Sequence, residues 1–218
     1  MKGIIFTLAF TALLQAKDAH QLMDKYSSAD FSGKTLAVIP SIGAPRVVYN
    51  GDVTDEFGKG NKEILIRQYY GKSIVEEIRK QSKFANVSYK IDRKSLQFDS
   101  TKLKVGRIRK SVFKMPKKGS QVALENGIPD VVLIIQDVSI TTGTTVRAAD
   151  DIHRSIEFEG LYLFWDNKSE EIIAYGYASY IARTTVPSIT IAEWETATFG
   201  FADYMLYWSN MSKREKQQ

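Results

Sequence analysis

Three consecutive segments between residues 130 and 183 carry the strand patterns that most constrain the fold. The first, DVVLIIQDVSI from Asp130, is the most apolar run beyond the N-terminus. The next two, RSIEFEGLYLFWD from Arg154 and EIIAYGYASYIAR from Glu171, alternate apolar and polar residues. A continuous apolar run is typical of a central strand, and alternation is typical of a strand with one solvated face. Asp166 to Ser169 have the composition of a tight turn, so the last two segments are predicted to form a β-hairpin.

Two further strands are predicted earlier in the chain. The apolar run from Leu36 to Ile39 stops at Pro40, as a buried strand does before a loop. Residues 43–60 are rich in Gly, Pro and polar residues and are predicted to form a long loop. The segment ANVSYKID alternates Val87, Tyr89 and Ile91, which predicts a second strand.

Two long helices are predicted from apolar stripes and capping residues. Asn61 can cap a helix that begins at Lys62, in which apolar residues recur every four positions. Thr190 and Glu193 form a capping-box pattern before a second helix. The stripe of the first helix comprises Ile66, Tyr70, Ile74 and Ile78, and that of the second comprises Trp194, Ala197, Phe201, Tyr204, Met205 and Trp208. A short additional helix is predicted between Gly119 and Gly127.

The order of elements, β-α-β-(α)-β-β-β-α, predicts an α/β (α+β) fold. We expect a single mixed β-sheet of about five strands, with helices packed on one or both of its faces. Residues 35–210 are assigned to this single domain and residues 211–218 to a polar tail.

The N-terminus has the layout of a secretory signal peptide over residues 1–16. Lys2 is followed by an uncharged, mostly apolar run from Gly3 to Leu14 and by a small-residue cleavage site at Ala16. This run is too short to span a bilayer, which needs about 20 residues. Residues 17–34 are predicted to be a tether or a short helix. The alternative, a short buried helix at the N-terminus, is disfavoured by the polar residues that follow at once.

The absence of cysteine bears on the compartment. The chain contains no Cys, so it has neither disulfides nor a lipid-bearing cysteine after the predicted cleavage site. Exported eukaryotic domains usually carry disulfides, whereas a domain of this size can bury enough surface without them. We therefore predict a bacterial protein of the periplasm, or of the periplasmic face of the outer membrane.

A basic segment over residues 102–118 dominates the charge distribution. It carries eight Lys and Arg and no acidic residue, while the whole chain, with 30 basic and 25 acidic residues, has a net charge of +5. The remainder of the chain is therefore slightly acidic. The predicted partner-binding residues are Lys102, Lys104, Arg107, Arg109, Lys110, Lys114, Lys117 and Lys118. The spacing of Ile108, Val112 and Met115 predicts a helix with its apolar face on the domain and its charges outward, ended by Pro116.

Export limits the partners of this segment. An acidic protein, anionic lipid head groups or cell-wall carboxylates fit the charge, and nucleic acid is not expected outside the cytoplasm. Phe113 is the only aromatic residue in the segment, unlike the stacked aromatics of RNA-binding modules. The alternative is a solvated loop that binds nothing.

Catalytic patterns are scarce in this sequence. Thiol nucleophiles and thiolate metal sites are excluded by the absence of Cys, and of the two His, His20 falls in the predicted tether. Asp150, Asp151 and His153 could supply metal ligands, but their spacing favours a polar turn, so no metal or cofactor is predicted. The remaining candidates are the carboxylates Glu157, Glu159 and Asp137. Glu157 and Glu159 would share one face of a strand, where solvated charges are the simpler interpretation.

The segments TLAVIPSIG, GIPDVVLIIQDVS and IEFEGLYLFWDNKSEEIIAYGYA, with a helix after the first and another at the end, are similar to one envelope family. This family is the domain shared by the curli secretion subunit CsgG, the synthase activator LpoB and the N-terminal domain of TolB. The resemblance covers about residues 35–210, and its hairpin motif falls at Asp166–Ile172 with Ser169-Glu170 where Thr-Gly is usual.

The resemblance implies a periplasmic module that binds other proteins, often within a ring or a larger envelope machine. Pore formation is not implied, because residues 141–153 and 182–190 are too polar or too short for the membrane hairpins of CsgG. The main hypothesis is therefore a non-catalytic envelope protein that docks into a multiprotein complex and can form homo-oligomers. The alternative is a periplasmic enzyme or a small-ligand carrier that uses the strand carboxylates.

Overall fold

A computed structural model describes residues 19–214, apart from 51–52, 54, 107–108, 149–150 and 186–187. The predicted signal peptide and the last residues of the predicted tail lie outside the described residues. The strands are β1 (His20–Leu22), β2 (Thr35–Ile42), β3 (Arg46–Val48), β4 (Asn86–Ser88), β5 (Phe98–Val105), β6 (Arg109–Pro116), β7 (Val131–Ala148), β8 (Asp151–Asp166) and β9 (Glu171–Thr184). The two α-helices are α1 (Lys62–Gln81) and α2 (Ile191–Trp208), and single 3₁₀ turns occupy Asp24–Tyr26, Asp55–Phe57 and Arg93–Ser95.

The main sheet is mixed, as predicted. Its strand order is β1-β9-β8-β7-β2-β4, with β3 paired to β7 beyond the end of β2, which makes seven strands among the described residues. Strands β2 and β3 run parallel to β7, and β4 runs parallel to β2. The long strands β7, β8 and β9 are antiparallel, and the predicted hairpin joins β8 to β9. The sheet has more strands than the five expected because β1 and β3 are only three residues long and carry no recognisable pattern.

Both helices pack on one face of this sheet. The predicted stripe of α1 is fully buried, as are Trp194, Ala197, Phe201 and Met205 of α2. They meet one face of the strands, including Val38, Leu133, Phe158 and Ala178, in the larger hydrophobic core. The Asn61 side chain accepts a hydrogen bond from the backbone N–H of Ile64 and so caps α1 as predicted. The Glu193 carboxylate accepts a hydrogen bond of 3.0 Å from the Thr190 N–H, which completes the predicted cap of α2.

The opposite face of the sheet is covered by a two-stranded antiparallel sheet, β5–β6. A second hydrophobic core joins the two sheets and contains Ala37, Ile134, Leu163 and Trp165 from the main sheet and Val105 and Phe113 from the smaller one. The fold therefore has three layers: helices, main sheet and a small sheet. The helices and the small sheet thus lie on opposite faces of the main sheet.

Several sequence expectations are corrected by the tertiary structure. Strand β2 continues through Pro40 to Ile42, because this proline lies at a register shift in the ladder with β7, where its missing N–H costs no hydrogen bond. The second predicted strand is shorter than expected, since β4 ends at Ser88 and Tyr89 is exposed. Residues 119–127 form turns and isolated bridges instead of a helix.

The segment predicted to be a tether is part of the domain. Strand β1 pairs with β9, and His20, Tyr26 and Phe31 are buried. The His20 ring stacks on Trp208 with centroids 5.5 Å apart, and its Nδ1 lies 2.6 Å from the Tyr162 hydroxyl. A histidine predicted to lie in a tether therefore joins the start of the domain to the sheet and to α2.

Strands β7, β8 and β9 extend beyond the layers that cover them, with lengths of 18, 16 and 14 residues. The polar segment 141–153 thus belongs largely to strands rather than to a loop. Asp137, at φ +52°, forms a bulge with Val138, and this shift keeps Val138 and Ile140 on the helix side of the sheet. Past this point the other face carries mostly polar side chains.

Candidate functional site: a basic β-ribbon

The basic segment forms the β5–β6 hairpin, here called the basic ribbon (residues 98–116). Eight consecutive residue pairs join the two strands, from Phe98 opposite Pro116 to Val105 opposite Arg109. Successive side chains of a strand point to opposite faces, so each strand divides into an inward and an outward set. The inward set contains Leu103, Val105, Ser111, Phe113 and Met115, which are buried or half-buried. Phe113 is fully buried and its ring meets that of Tyr175 edge-on at 5.5 Å.

The helix predicted for this segment is therefore wrong. Val112 and Met115 lie on opposite faces of β6: Val112 is 49% exposed, whereas Met115 packs against the core. Ile108, the third member of the predicted apolar stripe, lies outside the described residues. The alternation K-L-K-V over residues 102–105 and K-S-V-F-K-M over 110–115, with Gly106 at φ +70° between them, is the sequence signal that identifies a hairpin instead.

The outward face of the ribbon carries four exposed lysines, Lys102, Lys104, Lys110 and Lys114. Lys104 lies directly opposite Lys110, and Lys102 lies opposite the exposed Val112. The Lys114 ammonium donates a 2.8 Å hydrogen bond to the Ser100 hydroxyl. No salt bridge of the described residues involves these four lysines. The prediction that this segment presents its charges outward is thus confirmed for these four lysines, although by strand alternation rather than by a helix.

The other predicted binding residues extend this face or lie outside the description. Lys117 and Lys118 are exposed in the turn after β6. Arg109 pairs with Val105 in the ribbon, but its side chain lies outside the described part, as does the whole of Arg107. The structure therefore brings six of the eight predicted side chains to the surface of one hairpin and its following turn.

Hydrogen bonds hold the ribbon against the main sheet. The backbone N–H of Lys114 donates to the Gln136 side-chain oxygen on β7 at 2.8 Å, and the N–H of Gly119 donates to the Glu170 carboxylate at 2.9 Å. The buried Asn167 amide donates to the carbonyls of Val122 and Pro129, and its oxygen accepts from the Val122 N–H. These bonds hold the ribbon and the segment that follows it against the main sheet, so the positions of the lysines are set by the fold.

The charge arrangement opposes stability and favours an anionic partner. Like charges directly opposite each other on neighbouring strands are destabilising, and the ribbon places one such pair, Lys104 and Lys110, near the end of its ladder. An anionic surface that covers the face would neutralise this repulsion and be steered to it electrostatically. The compact ammonium groups suit carboxylates or phosphates equally as point charges.

The carboxylates considered as an alternative site lie on the same side of the main sheet as the ribbon. Glu157 and Glu159 share a face of β8, as predicted, and the Tyr177 hydroxyl donates a hydrogen bond to Glu159. Partial burial, together with the charge of Glu159, raises the pKa of Glu157 above its usual range. Asp137 is exposed at the bulge. A polar cavity of about 780 Å³ borders Glu157, Ile181 and Arg183.

Of the three residues considered as metal ligands, the structure describes only the side chain of His153. Asp150 and the Asp151 side chain lie outside the described residues, and His153 is half-buried on β8. Among the described side chains, no group of three or more His, Asp and Glu could hold a metal ion. Within the same residues, no helix is long and apolar enough to cross a membrane.

Comparisons with known proteins identify distant structural neighbours. No protein-family model and no curated protein match this chain. A PelC dodecamer from Paraburkholderia phytofirmans aligns at a TM-score of 0.36 and 8% identity, over 89% of this chain and 98% of that one. A neuraminyllactose-binding hemagglutinin homolog from Helicobacter pylori aligns at 0.33 and 10%, over 84% and 95%. The hypothetical protein CT253 from Chlamydia trachomatis aligns at 0.30 and 11%, over 69% and 74%. Similarity at this level does not extend to function.

Proposed function

We propose that this chain is an exported, non-catalytic protein of the bacterial envelope that docks into a multiprotein assembly through its basic ribbon. The observation that carries the proposal is the outward face of four lysines, which the described carboxylates leave without a salt bridge. The partner is an acidic surface of another envelope protein, and the assembly can also contain further copies of this chain. The signal-peptide pattern of residues 1–16 and the resemblance to the CsgG, LpoB and TolB domains support this location and role.

The geometry favours docking over the alternative of an enzyme or a small-ligand carrier. The Glu159 carboxylate accepts a hydrogen bond from the Tyr177 hydroxyl, which leaves Glu157 as the other member of the pair, beside an open polar cavity. Catalysis by a carboxylate pair needs a second group positioned to use the proton. The proposed docking function uses no cofactor and no metal.

Removing the lysines tests this function. The triple variant Lys102→Ser, Lys104→Ser, Lys110→Ser should lose salt-sensitive association with envelope proteins, measured by cross-linking in envelopes and co-sedimentation at low salt. Screening shortens from about 10 Å at 0.1 M salt to about 3 Å at 1 M, so the parent should lose the same association at high salt. The melting temperature should stay constant or rise, because the variant removes the repulsion between Lys104 and Lys110.

A matched control separates the ribbon from the total charge. The variant Lys59→Ser, Lys72→Ser, Lys83→Ser removes the same charge from exposed sites before, within and after α1. We expect it to associate like the parent. Equal association of the ribbon variant, the control and the parent from low to high salt would overturn the docking function.

A further inference from the structure

We propose that two copies of this chain pair along the part of the outer edge of β9 that the described residues leave uncovered, with Ser179–Arg183 of each copy antiparallel across a two-fold axis. The pairing would join the two main sheets into one continuous sheet. It deepens the proposed function by naming the surface through which copies of this chain associate, and it does not depend on what the basic ribbon binds.

The outer edge of β9 is covered along only part of its length. Strand β1 pairs with Ala174 to Gly176, and the Tyr177 N–H donates to the Ala19 carbonyl at 3.1 Å. The Ile173 carbonyl also faces this side, since it accepts from the Met23 N–H at 2.9 Å. Backbone groups of odd-numbered residues therefore point away from β8, and the ladder with β8 stays regular from Ala174 to Thr184.

The part of this edge that the described residues leave uncovered lies beyond the start of β1, past Tyr177. By the same alternation, the backbone N–H and C=O groups of Ser179, Ile181 and Arg183 point outward. Within the described residues, no backbone hydrogen bond from another segment reaches them. Unpaired groups at a sheet edge are a template for another strand.

This edge lacks the devices that usually prevent pairing. Residues 178–183, ASYIAR, contain no proline, no lysine and no bulge, and their single charge lies at the end. Ile181, at the centre of the free segment, is 43% exposed. Natural edge strands are normally protected by charge, proline or a bulge, so an unprotected, apolar-centred edge favours a partner strand.

A two-fold pairing of this segment is self-complementary. Centred on Ile181, it places Ser179 opposite Arg183 of the second copy and brings the two Ile181 side chains together. Residues whose backbone groups point outward then face each other in three pairs, each exchanging two hydrogen bonds. The isoleucine pair would lose exposed apolar surface, and cross-strand pairs of β-branched residues stabilise antiparallel sheets.

Charges also match in this register. On β8, Glu159 lies beside Ser179. In the proposed pairing, Arg183 of the second copy lies on the other side of Ser179, so these three side chains form one row across the interface. Because the Ser179 side chain is small, the long Arg183 side chain of the second copy can extend past it to the Glu159 carboxylate. Symmetry produces the contact twice, and no like charges lie opposite each other, because Ser155 is the β8 neighbour of Arg183.

A charge-reversal cycle tests the register. Because only five residues pair, we expect a concentration-dependent dimer, measured by sedimentation velocity of the chain. Arg183→Glu should weaken dimerisation about tenfold, because it faces Glu159 twice. The double variant Glu159→Arg, Arg183→Glu should restore it. A parent that stays monomeric at high concentration, or a double variant no tighter than Arg183→Glu while melting like the parent, would overturn the pairing.

A cysteine test is independent of charge. The chain contains no Cys, so Ile181→Cys introduces a single thiol at the two-fold axis. Directly paired residues of antiparallel strands lie about 5.5 Å apart between Cα atoms, within reach of a disulfide. Mild oxidation should give a covalent dimer of Ile181→Cys but not of Ile64→Cys, a control that is 50% exposed on α1. Equal cross-linking of both variants would refute the proposal.

The two proposals fail separately. Loss of dimerisation in Arg183→Glu with unchanged association of the ribbon with envelope proteins leaves the docking function intact. Loss of that association in the lysine variant, with normal cross-linking of Ile181→Cys, leaves the dimer intact.

Discussion

Acidification should destabilise the fold through His20. The ring is only 7% exposed, between Tyr162, Tyr204 and Trp208, and burial lowers its pKa from 6.5 to about 3. The folded state thus holds the neutral ring, whereas the unfolded chain takes up a proton near pH 6.5. Between these two values the unfolded state binds more protons, so the free energy of unfolding decreases as the pH falls.

The size of this effect follows from the two pKa values. One pKa unit corresponds to about 1.4 kcal/mol, so the full loss below pH 3 is on the order of 5 kcal/mol. From pH 7 to pH 5 the loss is about 2 kcal/mol, because most of this interval lies below the unfolded pKa. In a chain of this size that corresponds to a fall in melting temperature of roughly 4–8 °C.

Urea unfolding followed by circular dichroism at pH 7 and pH 5 measures this loss. His20→Phe keeps a ring in the stack but removes the titrating group, so it should lose about 2 kcal/mol less than the parent over this interval. Its stability at pH 7 should fall by about 1–3 kcal/mol, because the Tyr162 hydroxyl loses the His20 Nδ1 atom 2.6 Å away. Tyr162→Phe is the matched control, since it breaks the same contact and keeps the histidine. The reasoning is refuted if His20→Phe and Tyr162→Phe show the same dependence on pH.

Three further predictions concern packing and charge. In thermal melts, Gly200→Ala should destabilise the protein by about 1–3 kcal/mol, because the new Cβ would lie 2.1 Å from the Tyr180 ring. Gly71→Ala on α1 should instead stabilise it by about 0.5–1 kcal/mol, because nothing lies within 4 Å of the new Cβ. Asn167→Ala should cost about 3 kcal/mol in urea unfolding, since three hydrogen-bonding groups of Val122 and Pro129 lose their partner; a loss below 0.5 kcal/mol would contradict this account. Lys104→Glu should raise the free energy of unfolding by about 0.2–1 kcal/mol, because it converts the repulsion with Lys110 into an attraction, and lower stability would contradict the assigned register. The same variant should weaken association with envelope proteins.

Elements whose stability is encoded locally could be read from the sequence. The first helix begins at Lys62 because the Asn61 side chain binds a free N–H of its first turn, and its four-residue apolar spacing suffices to predict its buried face. The three strands after residue 130 were recognisable because their apolar and alternating runs are long. Six exposed basic side chains of the candidate site could likewise be predicted, because unpaired charges cannot be buried at acceptable cost.

The tertiary structure determined which secondary structure carries those charges and where the short segments pack. The spacing of three apolar positions in the basic segment was compatible with a helix. The segment is instead a strand, which buries Phe113 against Tyr175 of the main sheet, a residue far away in the chain. The same holds for His20, whose partners Tyr162 and Trp208 lie more than a hundred residues away in sequence. The sequence by itself determined the amphipathic elements and the local excess of charge, because periodicity and capping act between near neighbours. Only the fold determined which strands pair, which part of the β9 edge the described residues leave uncovered and which face each described lysine occupies, because these depend on contacts between segments that no local pattern encodes.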